Sequence, residues 1–242
     1  MITVAFVEVR RDGARLPNKQ MEMIGDRPLC WHAMSHALRS ELIDEVVLST
    51  NCPQASEVAR SLSIEVMTRT EEMCREDMPL REWLPKMDGL YLDWCRRRWD
   101  FSGGELAVCR VMGNSLIIDD SLHDRGLSLL VSTASEVRSV TFHEDTHPDQ
   151  SVLFDVSPDN GRMSLFNGGA EFGQFRSTKY RPAYYIDSGV CAYHLPRVKG
   201  PVCGVVSRKH SVFHVHDSLD LELARAAWDH SPAMSLMEEV AV

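Results

Sequence analysis

Four cations fall within ten residues near the N-terminus. Arg10, Arg11, Arg15 and Lys19 lie in the stretch RRDGARLPNK, directly after the apolar run ITVAFVEV. Guanidinium and ammonium groups gathered on one short turn, with Gly13 to let the backbone come close, suit the oxygens of a polyphosphate through charge-assisted hydrogen bonds. The turn is neither G-x-x-x-x-G-K-[ST] nor G-x-G-x-x-G. A solvated, charged loop is the competing reading of the same residues. A second pair, His214 and His216, has the spacing that puts two side chains on one face of a strand. Imidazoles so placed could bind a soft divalent ion, act as a base or phosphate ligand near neutral pH, or face a pocket or solvent with no ligand. The stretch FHEDTHP carries His143, Glu144, Asp145 and His147. Alternation at a strand end would spread them over both faces, so a polar loop is expected there. No Ser/His/Asp set with recognisable spacing points to a hydrolase.

These groups need a frame. At 242 residues, with 44% hydrophobic and 25% charged residues, the chain suits one soluble α/β domain with a substantial core. A net charge of -9 and a pI near 5.6 lack the basic footprint of a nucleic-acid binder. The densest basic run, CRRRW, ends a helical stretch, where cations suit the helix dipole. No run approaches the roughly 18 apolar residues of a membrane helix. MITVAFVEVRRD reads as a strand, because a signal peptide would carry its positive charge before the apolar stretch. A cytoplasmic chain with no nucleic-acid or membrane partner is the expectation. Its seven cysteines (Cys30, Cys52, Cys74, Cys95, Cys109, Cys191 and Cys203) form no C-x-x-C. An odd, scattered set argues against a disulfide framework and for small buried apolar residues.

Strands and helices alternate through the first half, as in a mainly parallel sheet covered by helices. ITVAFVEV is a buried strand, Pro28 to Ser40 a helix, IDEVVLST a strand, PQASEVARSL a helix and SIEVMTR a strand. Pro79 to Trp99 is helical with breaks near Pro85 and Gly89; ELAVCRVM is a central strand, and DDSLHDRGLSLLVSTA a helix weakened by Gly126. After about residue 135 come the strands VRSVTFHE, SVLFDV, RMSLF and AYYIDSGVCAYHL, with a long glycine-containing excursion before the last. SVFHVHD then forms a strand, and SLDLELARAAWDH a helix with Ser218 as N-cap. The basic turn leaves the C-terminal end of the first strand, where open α/β sheets bind ligands.

The order of these motifs resembles the cytidylyltransferases that make CMP-activated sugar acids: the CMP-sialic acid and CMP-KDO synthetases and related spore-coat polysaccharide proteins. Arg10, Arg15, Leu16, Pro17 and Lys19 fall on their R-x-x-x-x-R-[LIF]-P-x-K signature, and Gly25, Arg27, Pro28 and Leu29 on the following G-[KR]-P-[LM]. Arg69 sits where the sialic acid type has an arginine. RSVTFHEDTHP, YYIDSGVCAYHL and HVHDSLDLELARAAW are similar to later family segments. The resemblance implies one Rossmann-like α/β domain over 1–242, with a mixed sheet of the nucleotide-diphospho-sugar transferase type. A β-rich excursion at about 145–185 would serve as a homodimer contact. It implies transfer of CMP from CTP to an acidic acceptor, a 3-deoxy-ulosonic or sialic-type sugar acid or a phosphonate, with release of pyrophosphate.

Carried over to this sequence, Arg10, Arg15 and Lys19 would do the catalytic charge neutralisation. Arg11, Asp12, Gly13, Ala14, Arg69 and Asn114 would complete the nucleotide site, and Arg176, Lys179 and Ser188 would meet the acceptor. The family holds Mg²⁺ on carboxylates. Here its closing D-x-D reads His214 and His216, and the aspartate after its central strand reads Asn114 in MGNSLI. Three outcomes stay open. Asp217, or Asp119 and Asp120, takes the magnesium; the imidazoles take a softer ion such as Mn²⁺ or Zn²⁺; or the phosphates hold the ion in a catalytically impaired, nucleotide- or partner-binding relative.

Overall fold

The computed structural model describes residues 1–11, 15–75, 77–99, 105–132, 134–142, 154–157, 159–165, 184–208 and 210–231. The chain opens with β1 (Ile2–Val9), whose alternation sorts its side chains to two faces. Ala5, Val7 and Val9 join one core, while Val4 and Phe6 join a second, with Glu8 next on that same side. A short hairpin, β2 (Met23–Ile24) and β3 (Arg27–Pro28), leads into α1 (Leu29–Leu38). Then follow β4 (Glu45–Thr50), α2 (Pro53–Ser61) and β5 (Glu65–Thr68). Strand β4 lies parallel to β1, and β5 parallel to β4. The long helix α3 (Leu80–Trp99) crosses to β6 (Leu106–Met112), which joins β1 in parallel on its other side. The chain therefore reverses direction across β1, and the crevice beyond its C-terminal end is the switch point of the sheet.

Helix α3 runs unbroken through Pro85 and Gly89, contrary to the sequence expectation. Met87, Tyr91, Trp94 and Cys95 are buried against the second core, and Phe6 stacks on Tyr91 with ring centroids 3.9 Å apart. That packing outweighs the missing proline N–H. Gly89 faces open space, where a glycine costs only intrinsic propensity.

Beyond β6 come β7 (Ser115–Ile117), α4 (Leu122–Ser132), β8 (Glu136–Phe142), β9 (Phe154–Val156), β10 (Met163–Leu165), β11 (Tyr184–Leu195) and β12 (Val202–Val206). Strand β11 runs antiparallel to both β6 and β8, and β12 parallel to β8, which makes the sheet mixed. Gly126 of α4 lies so close to β11 that a Cβ there would meet Val190 at 2.9 Å; the glycine that weakens the helix pattern permits this approach. Most of the expected excursion, with His143, Glu144, Asp145, His147, Arg176 and Lys179, lies outside the described residues.

The chain then forms β13 (Val212–His214) and α5 (Ser218–Asp229). Strand β13 stops at His214 and pairs with β7 in a separate two-stranded sheet, Ser115 opposite His214. The N-cap of α5 is Asp217, one residue before the expected Ser218. Its carboxylate accepts from the backbone N–H groups of Leu219 and Asp220, and Asp220 accepts in return from Asp217. The described cysteines form no disulfide, and all are buried except Cys74, which is half-buried. Among the described residues no helix is long and apolar enough to cross a membrane.

Candidate functional site

A cleft of about 330 Å³ opens at the switch point. Arg10 reaches it from the end of β1, Arg69 from just beyond β5, and Arg110 and Asn114 from β6 and the turn after it. Lys19 arrives by another route. Asn18 adopts a left-handed conformation with φ 53° and launches a 3-10 turn, Lys19–Met21, closed by the Met21 N–H on the Asn18 carbonyl. The turn carries Lys19 inward, where it is buried and lines the cleft. Arg69 is also buried; its Nη2 donates to the Val9 carbonyl at 2.5 Å, tying it to the strand from which Arg10 departs.

The expected phosphate residues thus separate into two groups. Arg10, Lys19 and Arg69 converge on the cleft. Arg15 is exposed and outside the lining, though close enough for its charge to act on His216. Arg11 does not line the cleft: its backbone N–H donates to Asn51 and its guanidinium lies 3.7 Å from Glu71. Asp12, Gly13 and Ala14 lie outside the described residues.

Asn114 stands at the cleft because Gly113 lets the chain fold back against β1. A Cβ on Gly113 would lie 2.4 Å from Val9 Cγ2 and 2.8 Å from the Glu8 carbonyl oxygen, which accepts the Gly113 N–H at 3.0 Å. The Asn114 amide nitrogen donates to the Val215 carbonyl at 2.8 Å, which fixes its orientation, and lies 3.2 Å from His214 Nε2. That nitrogen is a donor, so Nε2 accepts and Nδ1–H donates to Ser115 Oγ at 2.7 Å. His214 is therefore held as the neutral Nδ1–H tautomer. Burial, then the neighbouring His216 and the Lys19 charge, pushes its pKa down to about 4. His216, its ring centroid 4.4 Å from that of His214, is lowered first by burial and then by Lys19 and Arg15.

Sequence reasoning passed over the floor of the cleft. Glu8 and Arg110 form a buried two-pronged ion pair, Nε to Oε1 at 2.7 Å and Nη2 to Oε2 at 2.9 Å. The Tyr91 hydroxyl donates to Oε1 at 2.5 Å, and the Trp83 ring lies 4.7 Å from the Arg110 guanidinium carbon. Burial alone would raise the Glu8 pKa, but the charge and hydrogen bonds of Arg110 outweigh it and hold the carboxyl below its usual range. The signal was legible: each is an isolated charge inside an otherwise apolar strand, and period two puts both on the face of Phe6 and Val108.

The other expected groups lie elsewhere. Ser188 is not in the cleft; it sits in the irregular part of β11 with φ 62°. Asp119 is buried with Arg125 and Ser121, and Asp120 pairs with Arg39 at 2.9 Å. Asp217 caps α5 and does not line the cleft. The donor set for a divalent ion follows from these commitments. Among the described residues Glu8 is the only carboxylate lining the cleft, and Arg110 occupies it. The Asn114 amide nitrogen engages His214 Nε2 and the Val215 carbonyl, and the other ring nitrogen of His214 is bonded to Ser115. Among the described residues no group of three or more His, Cys, Asp or Glu side chains is placed to hold a metal ion. A magnesium ion prefers oxygen ligands in an octahedral set, and these residues do not fit it.

Residues 4–79 match the cytidylyltransferase family. The chain is 35% identical over 75 residues to the 3-deoxy-manno-octulosonate cytidylyltransferase of Chlorobium phaeobacteroides, covering 31% of this chain and 30% of that protein. It is 26% identical over 91 residues to the N-acylneuraminate cytidylyltransferase of Escherichia coli O18:K1:H7, covering 38% of this chain and 22% of that one. The matched segments thus span less than a third of either relative. Over nearly the whole length, the fold is similar to that of CMP:2-keto-3-deoxy-manno-octonic acid synthetase solved with CTP. The TM-score is 0.66 at 13% identity, over 93% of this chain and 98% of that one. The Rossmann-like architecture expected from the sequence is the one the structure has.

Proposed function

We propose that the protein is a nucleotidyltransferase that moves CMP from CTP to an acidic acceptor and releases pyrophosphate. The observation that carries this reading is the convergence of Arg10, Lys19 and Arg69 on one cleft at the switch point, inside the segment that matches the cytidylyltransferase family. An acceptor oxygen attacks the α-phosphorus in line, and the bond to pyrophosphate breaks. Arg10 and Lys19 neutralise the triphosphate and the charge that grows on the leaving group; Arg69 holds the nucleotide where Val9 fixes its guanidinium. Arg15, whose charge is felt at His216, meets the departing pyrophosphate. A divalent ion, Mg²⁺ or Mn²⁺, would have to come with the nucleotide and would add charge neutralisation there, since the described residues do not hold it. The acceptor is a sugar acid of the 3-deoxy-ulosonic or sialic type, or a phosphonate, and the working form is a homodimer.

The test is pyrophosphate release from CTP against a panel of sugar acids and phosphonates, with CTP affinity measured by calorimetry. Arg10→Ala and Lys19→Ala should each weaken CTP binding about tenfold or more, as loss of a charge-assisted contact does. Unchanged affinity in both variants overturns the phosphate roles. The lack, among the described residues, of a group placed to hold a metal favours a second reading, a relative that binds nucleotide without turnover. CTP binding with no pyrophosphate release across the panel selects it.

A further inference from the structure

The Glu8–Arg110 pair has no part in gripping phosphate, since its charges cancel, yet both residues line the cleft. Its remaining hydrogen-bonding capacity can be counted. Glu8 Oε1 is filled by Tyr91 and by Arg110 Nε, while Oε2 accepts only from Nη2 and keeps a lone pair. Arg110 Nη2 keeps its second N–H, and Nη1 donates to no described residue. Along one edge the pair therefore presents an acceptor, a donor and a donor. Trp83 covers a face of the guanidinium and is itself anchored through its indole N–H on the Met73 carbonyl at 2.9 Å, so the edge stays open. Met73, Met78, Leu80 and Met112 supply flat apolar walls beside it.

Resting on the nucleotide reading above, we propose that Glu8 and Arg110 select the base: their shared edge pairs with a 4-aminopyrimidine and rejects a 4-oxo one. The 4-amino group of cytosine donates, and its N3 and O2 accept, the complement of acceptor, donor, donor. Uracil presents an acceptor to Glu8 Oε2 and a donor to the guanidinium, and both contacts turn repulsive. A site built to hydrogen-bond an amino group discriminates strongly against the analogue that lacks it, because its own buried groups are then left unpaired. Glu8 and Arg110 would thus be the reason for CTP, while Arg10 and Lys19 serve any triphosphate.

The ligand side gives a test free of folding questions. Calorimetry on the unaltered chain compares CTP, UTP and the triphosphate of the 2-pyrimidinone riboside, which lacks the 4-amino group. CTP is expected to bind at least tenfold more tightly than either; a difference under threefold overturns the base-reading role. The protein side uses Glu8→Leu/Tyr91→Phe/Arg110→Met, since an apolar replacement of a whole buried network tends to preserve folding where a single deletion does not. This variant should bind CTP and UTP within threefold of each other. If it is folded by circular dichroism and still prefers CTP tenfold, the inference fails; if it does not fold, the three-nucleotide comparison decides alone. Failure of all three nucleotides to bind the unaltered chain instead overturns the nucleotide reading itself.

Discussion

Gly113→Ala tests whether the close approach of β6 to β1 is what builds the nucleotide end of the cleft. The new methyl would lie 2.4 Å from Val9 Cγ2 and 2.8 Å from the Glu8 carbonyl oxygen. The first contact can be relieved in part by the valine side chain. The second is with backbone in the centre of a parallel sheet and cannot. Moving that oxygen out to an ordinary contact of about 3.4 Å requires a shift of about 0.6 Å. The same shift stretches the Gly113 N–H to Glu8 carbonyl bond from 3.0 Å to about 3.6 Å, beyond hydrogen-bond range. Overpacking typically costs about 1–3 kcal/mol and a lost hydrogen bond about 1 kcal/mol, so a destabilisation of about 2–4 kcal/mol is expected. Urea unfolding would measure it. Adding Val9→Ala should recover only part, because the backbone contact remains. The local effect has its own readout: the turn carries Asn114, whose amide fixes the His214 tautomer. The nitrogen shifts of His214 in NMR should move toward a tautomer mixture, and CTP affinity should fall. Destabilisation below about 0.5 kcal/mol with an unchanged His214 spectrum would refute the reasoning.

His36 and His123 face each other through Nδ1 atoms 3.0 Å apart, and His36 Nε2 lies 3.1 Å from the Asp119 carbonyl. Burial, then the Arg39 charge, depresses the His36 pKa to about 4, and burial with His36 lowers His123 further below its ordinary value. The fold requires the neutral forms, so this contribution is whole above the unfolded pKa near 6.5 and is lost as pH falls toward 4. Between pH 7 and pH 4.5 His36 alone should cost about 2 kcal/mol of unfolding free energy. His36→Gln should flatten that loss in urea titrations, and an equal loss in the variant would refute the assignment. Asp217→Ala removes the capping box of α5 and should cost about 1 kcal/mol of stability. It should leave CTP affinity within twofold in the presence of Mg²⁺; a larger, magnesium-dependent loss would show that Asp217 is a metal ligand after all.

What the sequence made legible follows the range over which its signals act. Period two in ITVAFVEV and ELAVCRVM and period 3.6 in Pro28 to Ser40 are local, and each becomes the expected strand or helix. Lys19 and Arg69 could be assigned to one site only through the resemblance, because the left-handed turn at Asn18 and the length of β5 decide where they point. Arg11 shows the limit. Its charge matches that of Arg10, but the bend after β1 sends it to Glu71. The capping of Asp217 was hidden because S and D compete for the same N-cap role, and only the reciprocal bond with Asp220 decides between them. Continuity through Pro85 depends on Met87, Tyr91 and Trp94 meeting a sheet far away in sequence.

The two departures at the cleft have one electrostatic logic. Carboxylates at positions 214 and 216 would stand where the Lys19 charge is felt. Without a divalent ion to engage them, they would draw the ammonium away from phosphate. Neutral imidazoles, one locked by Asn114 and Ser115, add no such attraction. Glu8, the one carboxylate among the described residues that lines the cleft, is likewise cancelled by Arg110 rather than left to repel an anion. In a chain of net charge -9 the described lining of this cleft is thereby predominantly cationic. On the proposed reading, the grip on a polyanion rests on Arg10, Lys19 and Arg69, and the Glu8–Arg110 edge distinguishes one base from another.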